Sequence, residues 1–206
     1  MLSHLPTVII GAGPVGLAVA SHLNTYNKTF LVLEKGAQAG SNILEWGHIQ
    51  VFSPWEFNID QEAKKLLLKT NWSEPNGKQL PTGFDLVNEY LKPLSNHPEL
   101  KEHIRYNAEV LDITRKNTDK MKDAFREKQP FVIYVRINGT IEKIEARAVI
   151  DASGTWNNPN PPFADGIWRS EELKKKTHTH IPDINKEEQL FKNKHVAVIG
   201  SGHSAL

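Results

Sequence analysis

Apolar positions follow two periods along this chain. Thr7-Val-Ile-Ile10 is a continuous β-branched run just after Pro6, which predicts a short buried strand. Leu17 to Leu23 shifts to a helical spacing, with Ala18, Val19 and Ala20 toward sheet or core. Phe30-Leu-Val-Leu33 predicts a second strand. Asp60 to Lys69 reads as a helix with a solvated lysine face, Leu80 to Gly83 as a turn, and Phe84 to Leu94 as a helix. That last helix is expected to turn Phe84, Val87, Tyr90 and Leu91 inward. Ile104 to Thr114 reads as one strand, and the charged stretch from Lys116 to Lys128 as a surface loop. Phe131 to Ile137 alternates, Asn138-Gly139 is a strong hairpin signal, and Thr140 to Ala146 is the returning partner. Ala148-Val-Ile-Asp151 is a further buried run, closed by the small residues Ala152, Ser153 and Gly154. The pattern predicts an α/β core carrying an inserted β-meander.

Two stretches show little period. Residues 36–60 are rich in Gly, Trp and Phe, and long connections of this kind are often functional. Trp46, His48, Phe52 and Trp55 suit the edge of a planar cofactor, although core packing explains the aromatics equally well. His48 by itself reads as a hydrogen-bonded loop histidine. Residues 155–165 are Pro- and Asn-rich and predict a crossing linker. His178 and His180 have no evident third ligand and are read as structural or solvated. Lys174 to Lys176 is too short for a nucleic-acid patch.

Composition narrows the class. The formal net charge is +1, from 25 basic and 24 acidic residues, so no long-range field draws nucleic acid or an anionic membrane. No cysteine is present, which removes disulfides, thiolate metal sites and thiol nucleophiles from these residues. The apolar N-terminus lacks the basic region of a signal peptide, and no apolar run reaches a membrane span of about 18 residues. The default expectation is a cytoplasmic enzyme.

The candidate chemistry lies in Gly11-Ala12-Gly13-Pro14-Val15-Gly16, between the first strand and helix. Gly11 allows a tight turn, Gly13 lets a pyrophosphate approach the backbone, and Gly16 lets helix and strand pack closely. Unpaired amides and the helix dipole then attract phosphate charge. Pro14 costs little in a first turn. Glu34 ends the second strand about 20 residues on, where an acid accepts ribose hydroxyls and repels a 2′-phosphate. That combination favours FAD or NAD over NADP at this first site. A second run, Val196-Ala-Val-Ile-Gly-Ser-Gly-His-Ser-Ala205, repeats strand-then-glycines near the end of the sequence.

The Gly11 motif, Glu34, the Asp151-Ala-Ser-Gly-Thr155 strand end and the Gly200 motif together resemble the two-dinucleotide-binding flavoproteins. The branch is that of flavin-containing monooxygenases and thioredoxin-reductase-like enzymes, and the similarity runs over essentially the whole sequence. It implies a Rossmann-like, glutathione-reductase-type FAD-binding domain in three layers over 1–155. A crossing segment over 156–194 would follow, then the first strand and phosphate loop of an incomplete NAD(P)H domain over 195–206. By position, Gly11, Ala12, Gly13, Pro14, Val15 and Gly16 would hold the FAD pyrophosphate and Glu34 the ribose. Lys35 and the backbone of Val110 would meet adenine, Trp46 would sit near the flavin, and Ala152, Ser153 and Gly154 would return beside the site. Gly200, Gly202 and Ser204 would open the NADPH site. The resemblance implies hydride transfer from NADPH to FAD, and a homodimer of the full-length form. It names neither a substrate nor a catalytic side chain in these residues. The monooxygenase fingerprint between the two glycine motifs is not reproduced in residues 155–185, and the paired glycines before Trp46 are replaced by Gly40-Ser-Asn-Ile-Leu-Glu-Trp46. Without cysteine, the disulfide-bearing glutathione-reductase branch does not fit.

Three functions stay open on sequence grounds. One is the front part of an FAD-dependent, NAD(P)H-using, monooxygenase-like oxidoreductase. Another is a non-catalytic truncated dinucleotide-binding product; under any of the three, the strand pattern from 195 onward lacks its sheet and is expected to be frayed or packed non-natively. The third is a simple NAD-dependent Rossmann enzyme, against which the meander and the long gap between glycine motifs stand.

Overall fold

A computed structural model describes residues 2, 4–119, 121, 123–158, 160–178 and 180–200. Two compact units divide the chain, Met1–Gly154 and Thr155–Leu206.

The first unit is built on a parallel sheet. Strand β1 (Thr7–Ile10) lies between β2 (Phe30–Leu33) and β7 (Ala148–Asp151), and β2 also pairs with the two-residue β3 (Ile104–Arg105). The order is β3-β2-β1-β7. Against it lies an antiparallel meander, β4 (Ala108–Arg115), β5 (Phe131–Ile137) and β6 (Thr140–Ala146). The β5–β6 hairpin turns at Asn138 and Gly139, both at positive φ, as an Asn-Gly turn requires.

Side-chain alternation explains the layering. Val8 and Leu33 point to one face, where they share a core with Ala108, Ile133, Val135 and Ala146 of the meander. Ile9 and Val32, one position along, join the opposite core with Leu17, Ala20, Leu67, Tyr90, Leu91 and Leu94. A strand has period 2, so neighbours serve different faces. The result is the expected α/β fold of three layers, with helices, parallel sheet and meander.

On the helical side, α1 spans Pro14–Thr25, followed by short helices α2 (Ser41–Glu45) and α3 (Trp55–Asn58) and by α4 (Gln61–Leu67). Asp60 caps α4 by accepting from the amides of Glu62 and Ala63. The Thr82 and Asp85 side chains form a reciprocal capping box that starts α5 (Gly83–Asp85). The chain then widens into a π-helical stretch, Leu86–Leu91, before α6 (Lys92–Ser95) and α7 (Pro98–Lys101). Val87, Tyr90 and Leu91 are buried as expected, but Phe84 is 41% exposed. It sits in the first turn, where its ring covers Gly47 rather than entering the core.

Two further expectations change. Ile104 to Thr114 is two strands in different sheets, because the chain breaks at Asn107, whose φ is +52. The aperiodic residues 36–60 contain α2 and α3, each too short to show a helical period. In the second unit the described residues include two helices, α8 (Glu171–Lys176) and α9 (Ile184–Phe191), and no strand. Residues 195–200, a strand by pattern but expected to fray without its sheet, have no regular structure. No described helix is long and apolar enough to cross a membrane.

Candidate dinucleotide site at the β1–α1 turn

The turn from β1 into α1 is set by contacts that only glycine allows at two positions. Gly11 has φ +98, and a Cβ there would stand 2.7 Å from the carbonyl oxygen of Ala152. A Cβ on Gly16 would fall 1.9 Å from the carbonyl oxygen of Gly11. The strand end, the helix start and the β7 exit are therefore in backbone contact. Gly13 differs, since a Cβ there meets nothing within 4 Å. The loop is closed below and open above Gly13, which is the space a pyrophosphate needs.

The helix start is prepared for an anion. Gly13 is the N-cap and offers no side chain, Pro14 takes the first helical position, and the first turn carries no acidic residue. The amides of Val15 and Gly16 lie in that turn, where no intrahelical acceptor exists. The first hydrogen bond of the helix runs from the Leu17 amide to the Gly13 carbonyl at 3.0 Å. Val15 is exposed and Pro14 faces solvent with it.

Glu34 locks the loop. Its Oε2 accepts from the Ala12 amide at 2.7 Å, and its Oε1 from the Gly36 amide at 2.7 Å. The Ala12 carbonyl accepts from the Gly40 amide at 3.1 Å, so this buried peptide is held on both sides. Sequence reasoning gave Glu34 one task, the ribose, and missed this second one. Each carboxylate oxygen has a further lone pair, so backbone anchoring leaves acceptor capacity for a diol. Gly36 and Gly40 were missed as well. Their only sequence signal was closeness to Glu34, and Gly40 packs against Val87 and Leu91 at positive φ.

Lys35 pairs with a carboxylate of the meander. Its Nζ stands 3.1 Å from Glu109 Oε1, and Arg136 reaches Glu109 Oε2 at 2.6 Å. Lys35 and then Arg136 hold the Glu109 carboxyl below the usual glutamate range. Val110 lies two residues past Ala108, whose amide donates to the Glu34 carbonyl at 2.9 Å. β4 has a bulge between Val110 and Asp112, which re-aims the strand beside this edge.

On the other side, the Ala152 amide donates to the Ile10 carbonyl at 2.9 Å, extending β7 beyond its last paired residue. The Ser153 amide and hydroxyl both donate to Asp151 Oδ1, at 3.0 and 2.6 Å. These two bonds hold the Asp151 carboxyl below its ordinary value. Gly154 follows at φ +69.

Trp46 is half-buried, with its ring 3.0 Å from where a Gly83 Cβ would stand, so it packs onto the start of α5. Trp55 belongs to the core, whereas Phe52 is exposed. The Nε2 of His48 is enclosed and has no hydrogen-bond partner among the described residues, so any hydrogen bond of this ring falls to Nδ1. Gly200 is exposed at φ +126, outside any element, while Gly202 and Ser204 lie outside the described residues. No cluster of three metal-ligating side chains occurs among the described residues.

A parallel βαβ start with a glycine turn, an anion-ready helix and an acid at the second strand end defines the dinucleotide-binding class of α/β proteins. The chain belongs to the pyridine nucleotide-disulphide oxidoreductase family, which it matches over residues 8–206. It is 28% identical over its whole length to the FAD-binding monooxygenase VdtE of Byssochlamys spectabilis, of which it spans 33%. In fold it is similar to the bacillithiol disulfide reductase Bdr of Bacillus cereus, with TM-score 0.57 and 22% identity over 76% of this chain and 42% of that one. It is similar also to OTEMO in complex with FAD and NADP, with TM-score 0.52 and 18% identity over 74% of this chain and 26% of that one. The chain thus spans a third to a half, or less, of the relatives it matches. The resemblance to two-dinucleotide-binding flavoproteins is borne out.

Proposed function

We propose that these residues form the adenosine and pyrophosphate part of an FAD site in an NAD(P)H-dependent, monooxygenase-like oxidoreductase. The observation that carries this reading is the turn itself, closed by Gly11 and Gly16 and open only over Gly13. FAD and NADP are bound in a structure of similar fold, and the family and VdtE both point to redox chemistry.

The residues divide the work. The first-turn amides at Val15 and Gly16 face the pyrophosphate, and the Gly13 backbone lets it come close. Glu34 holds the loop in shape and offers its remaining lone pairs to the ribose. Val110 borders the adenine, Ala152 to Gly154 close the other side, and Trp46 flanks the flavin end. Gly200, Gly202 and Ser204 belong to the NADPH site in this reading. Bound FAD supplies two-electron transfer between a nicotinamide and an acceptor. No described side chain is assigned as an acid or base. The chain holds no thiol, so any disulfide chemistry within the family name is not carried by these residues. A plain NAD-dependent Rossmann enzyme is disfavoured by the meander, which stands where a further βα repeat would continue.

The test is a visible spectrum of the purified chain mixed with FAD and then desalted. A retained flavin spectrum is expected. Complete loss of flavin, with circular dichroism showing a folded protein, would sink the proposal.

A further inference from the structure

Close to Glu34 along the chain and the meander, two cations share one carboxylate. Lys35 follows it directly and pairs with Glu109. Arg136, across the β4–β5 ladder in register with Glu109, takes the other oxygen of the same carboxylate. The placement is fixed by backbone, because the Ala108 amide donates to the Glu34 carbonyl and puts Glu109 one residue away. One anion therefore ties the loop after β2 to the meander and pairs with two cations.

That arrangement bears on which adenosine the site takes. A 2′-phosphate is bound through cations, commonly Arg or Lys, beside the ribose acid. Lys35 and Arg136 are such cations, and with Glu109 removed they would present two positive charges to the ribose edge. We propose that Glu109 is a specificity-determining residue that holds Lys35 and Arg136 and offsets one of their two charges, so that the first site disfavours 2′-phosphorylated adenosines. This rests on the FAD reading above. Glu34 repels a 2′-phosphate directly. Glu109 acts through the lysine and arginine it holds, and it stays ionised because those partners lower its pKa.

The experiment displaces FAD from the 206-residue chain with 5′-ADP or with adenosine 2′,5′-bisphosphate, and takes the ratio of the two Kd values. Wild type should prefer 5′-ADP. E109Q should move the ratio toward the 2′-phosphorylated ligand by about tenfold, as expected when one nearby unit charge is lost at a partly screened site. K35M/E109Q should undo most of that shift. R136Q, which removes a cation and leaves Glu109 less neutralised, should move the ratio a few-fold the other way. If E109Q does not fold, E109A replaces it, with the same shift expected and the same unmoved ratio overturning the proposal. An unmoved ratio in folded E109Q, or a shift undiminished in K35M/E109Q, overturns the proposal. If wild type binds no FAD at all, the FAD reading itself fails, and that outcome is distinct from wild type binding FAD with an unmoved ratio.

Discussion

Two stretches of this chain share one pattern and differ in structure. Val8-Ile-Ile-Gly11 runs through a strand into a tight glycine turn and a 12-residue helix. Val196-Ala-Val-Ile-Gly200 has the same apolar run and the same following glycine, yet forms no strand. Val8 and Ile9 are fully buried, whereas Val198 and Ile199 are 69% and 71% exposed. The difference is not propensity, since β-branched residues dominate both. Val8 sits between Leu31 and Val149, with each edge of β1 paired, and helices and meander cover its two faces. The described second unit offers residues 195–200 no strand to pair with. A strand is a property of a sheet, and a motif in sequence becomes a site only when neighbours complete it.

The sharpest way to break the comparison is at the helix–strand contact. Gly16→Val drives carbon into the Gly11 carbonyl, which belongs to backbone and cannot swing aside. It should cost more than about 3 kcal/mol, beyond the usual overpacking penalty, and leave little folded protein. Near-wild-type thermal unfolding of Gly16→Val would refute the close packing described for the turn. The next effect compares the two apolar runs directly. Ile9→Ala should destabilise by about 2–5 kcal/mol, and Ile199→Ala should stay within about 0.5 kcal/mol. Equal losses in urea melts would mean that the tail packs as well as β1 does.

Gly13→Ala separates folding from binding inside one motif. Its Cβ enters open space and its φ of −81 suits any residue, so the melting temperature should hold. FAD affinity should fall about tenfold or more, because the methyl group occupies the approach of the pyrophosphate. A melting temperature that drops with affinity unchanged would reverse the roles assigned to Gly13 and Gly16.

The same contrast explains what was legible in the sequence. Elements that declare themselves locally were readable: β1, β2, the Asn138-Gly139 hairpin and the glycine turn each carry their own signal. Glu34 was readable by spacing, but its backbone anchoring was not, because the Ala12 and Gly36 amides meet it only after folding. Nothing local marks the partner of Lys35, because Glu109 comes from the meander, far along the chain. Phe84 misled because a helical period says which face is apolar, not where the first turn of a helix stands relative to the core. His48 is a different case. A histidine in an aperiodic loop suggests a hydrogen bond, yet its Nε2 is enclosed without one among the described residues. Residues 195–200 carry a strand pattern, and their lack of regular structure was foreseeable because the described residues include no partner strand for it.

The smallest expected effect lies at the β7 exit, where the first site is finished by a local device. Asp151 ends β7 in register with Ile10, and its carboxylate accepts from both the amide and the hydroxyl of Ser153. The hydroxyl bond and then the amide bond depress the Asp151 pKa in the folded state. A depressed carboxylate pKa contributes stability that is fully present above the unfolded value and is lost as pH falls through the folded one. Ser153→Ala removes the hydroxyl bond and keeps the amide bond, so the folded pKa should move back toward its ordinary value. The variant should therefore melt slightly lower than wild type at neutral pH, with the gap closing in acid below the folded pKa of Asp151. Because the carboxylate is largely exposed, the gap should be small, under about 1 kcal/mol. A gap that widens in acid would mean that Ser153 stabilises the protonated acid instead, and that the turn closing this side of the site is not the one described.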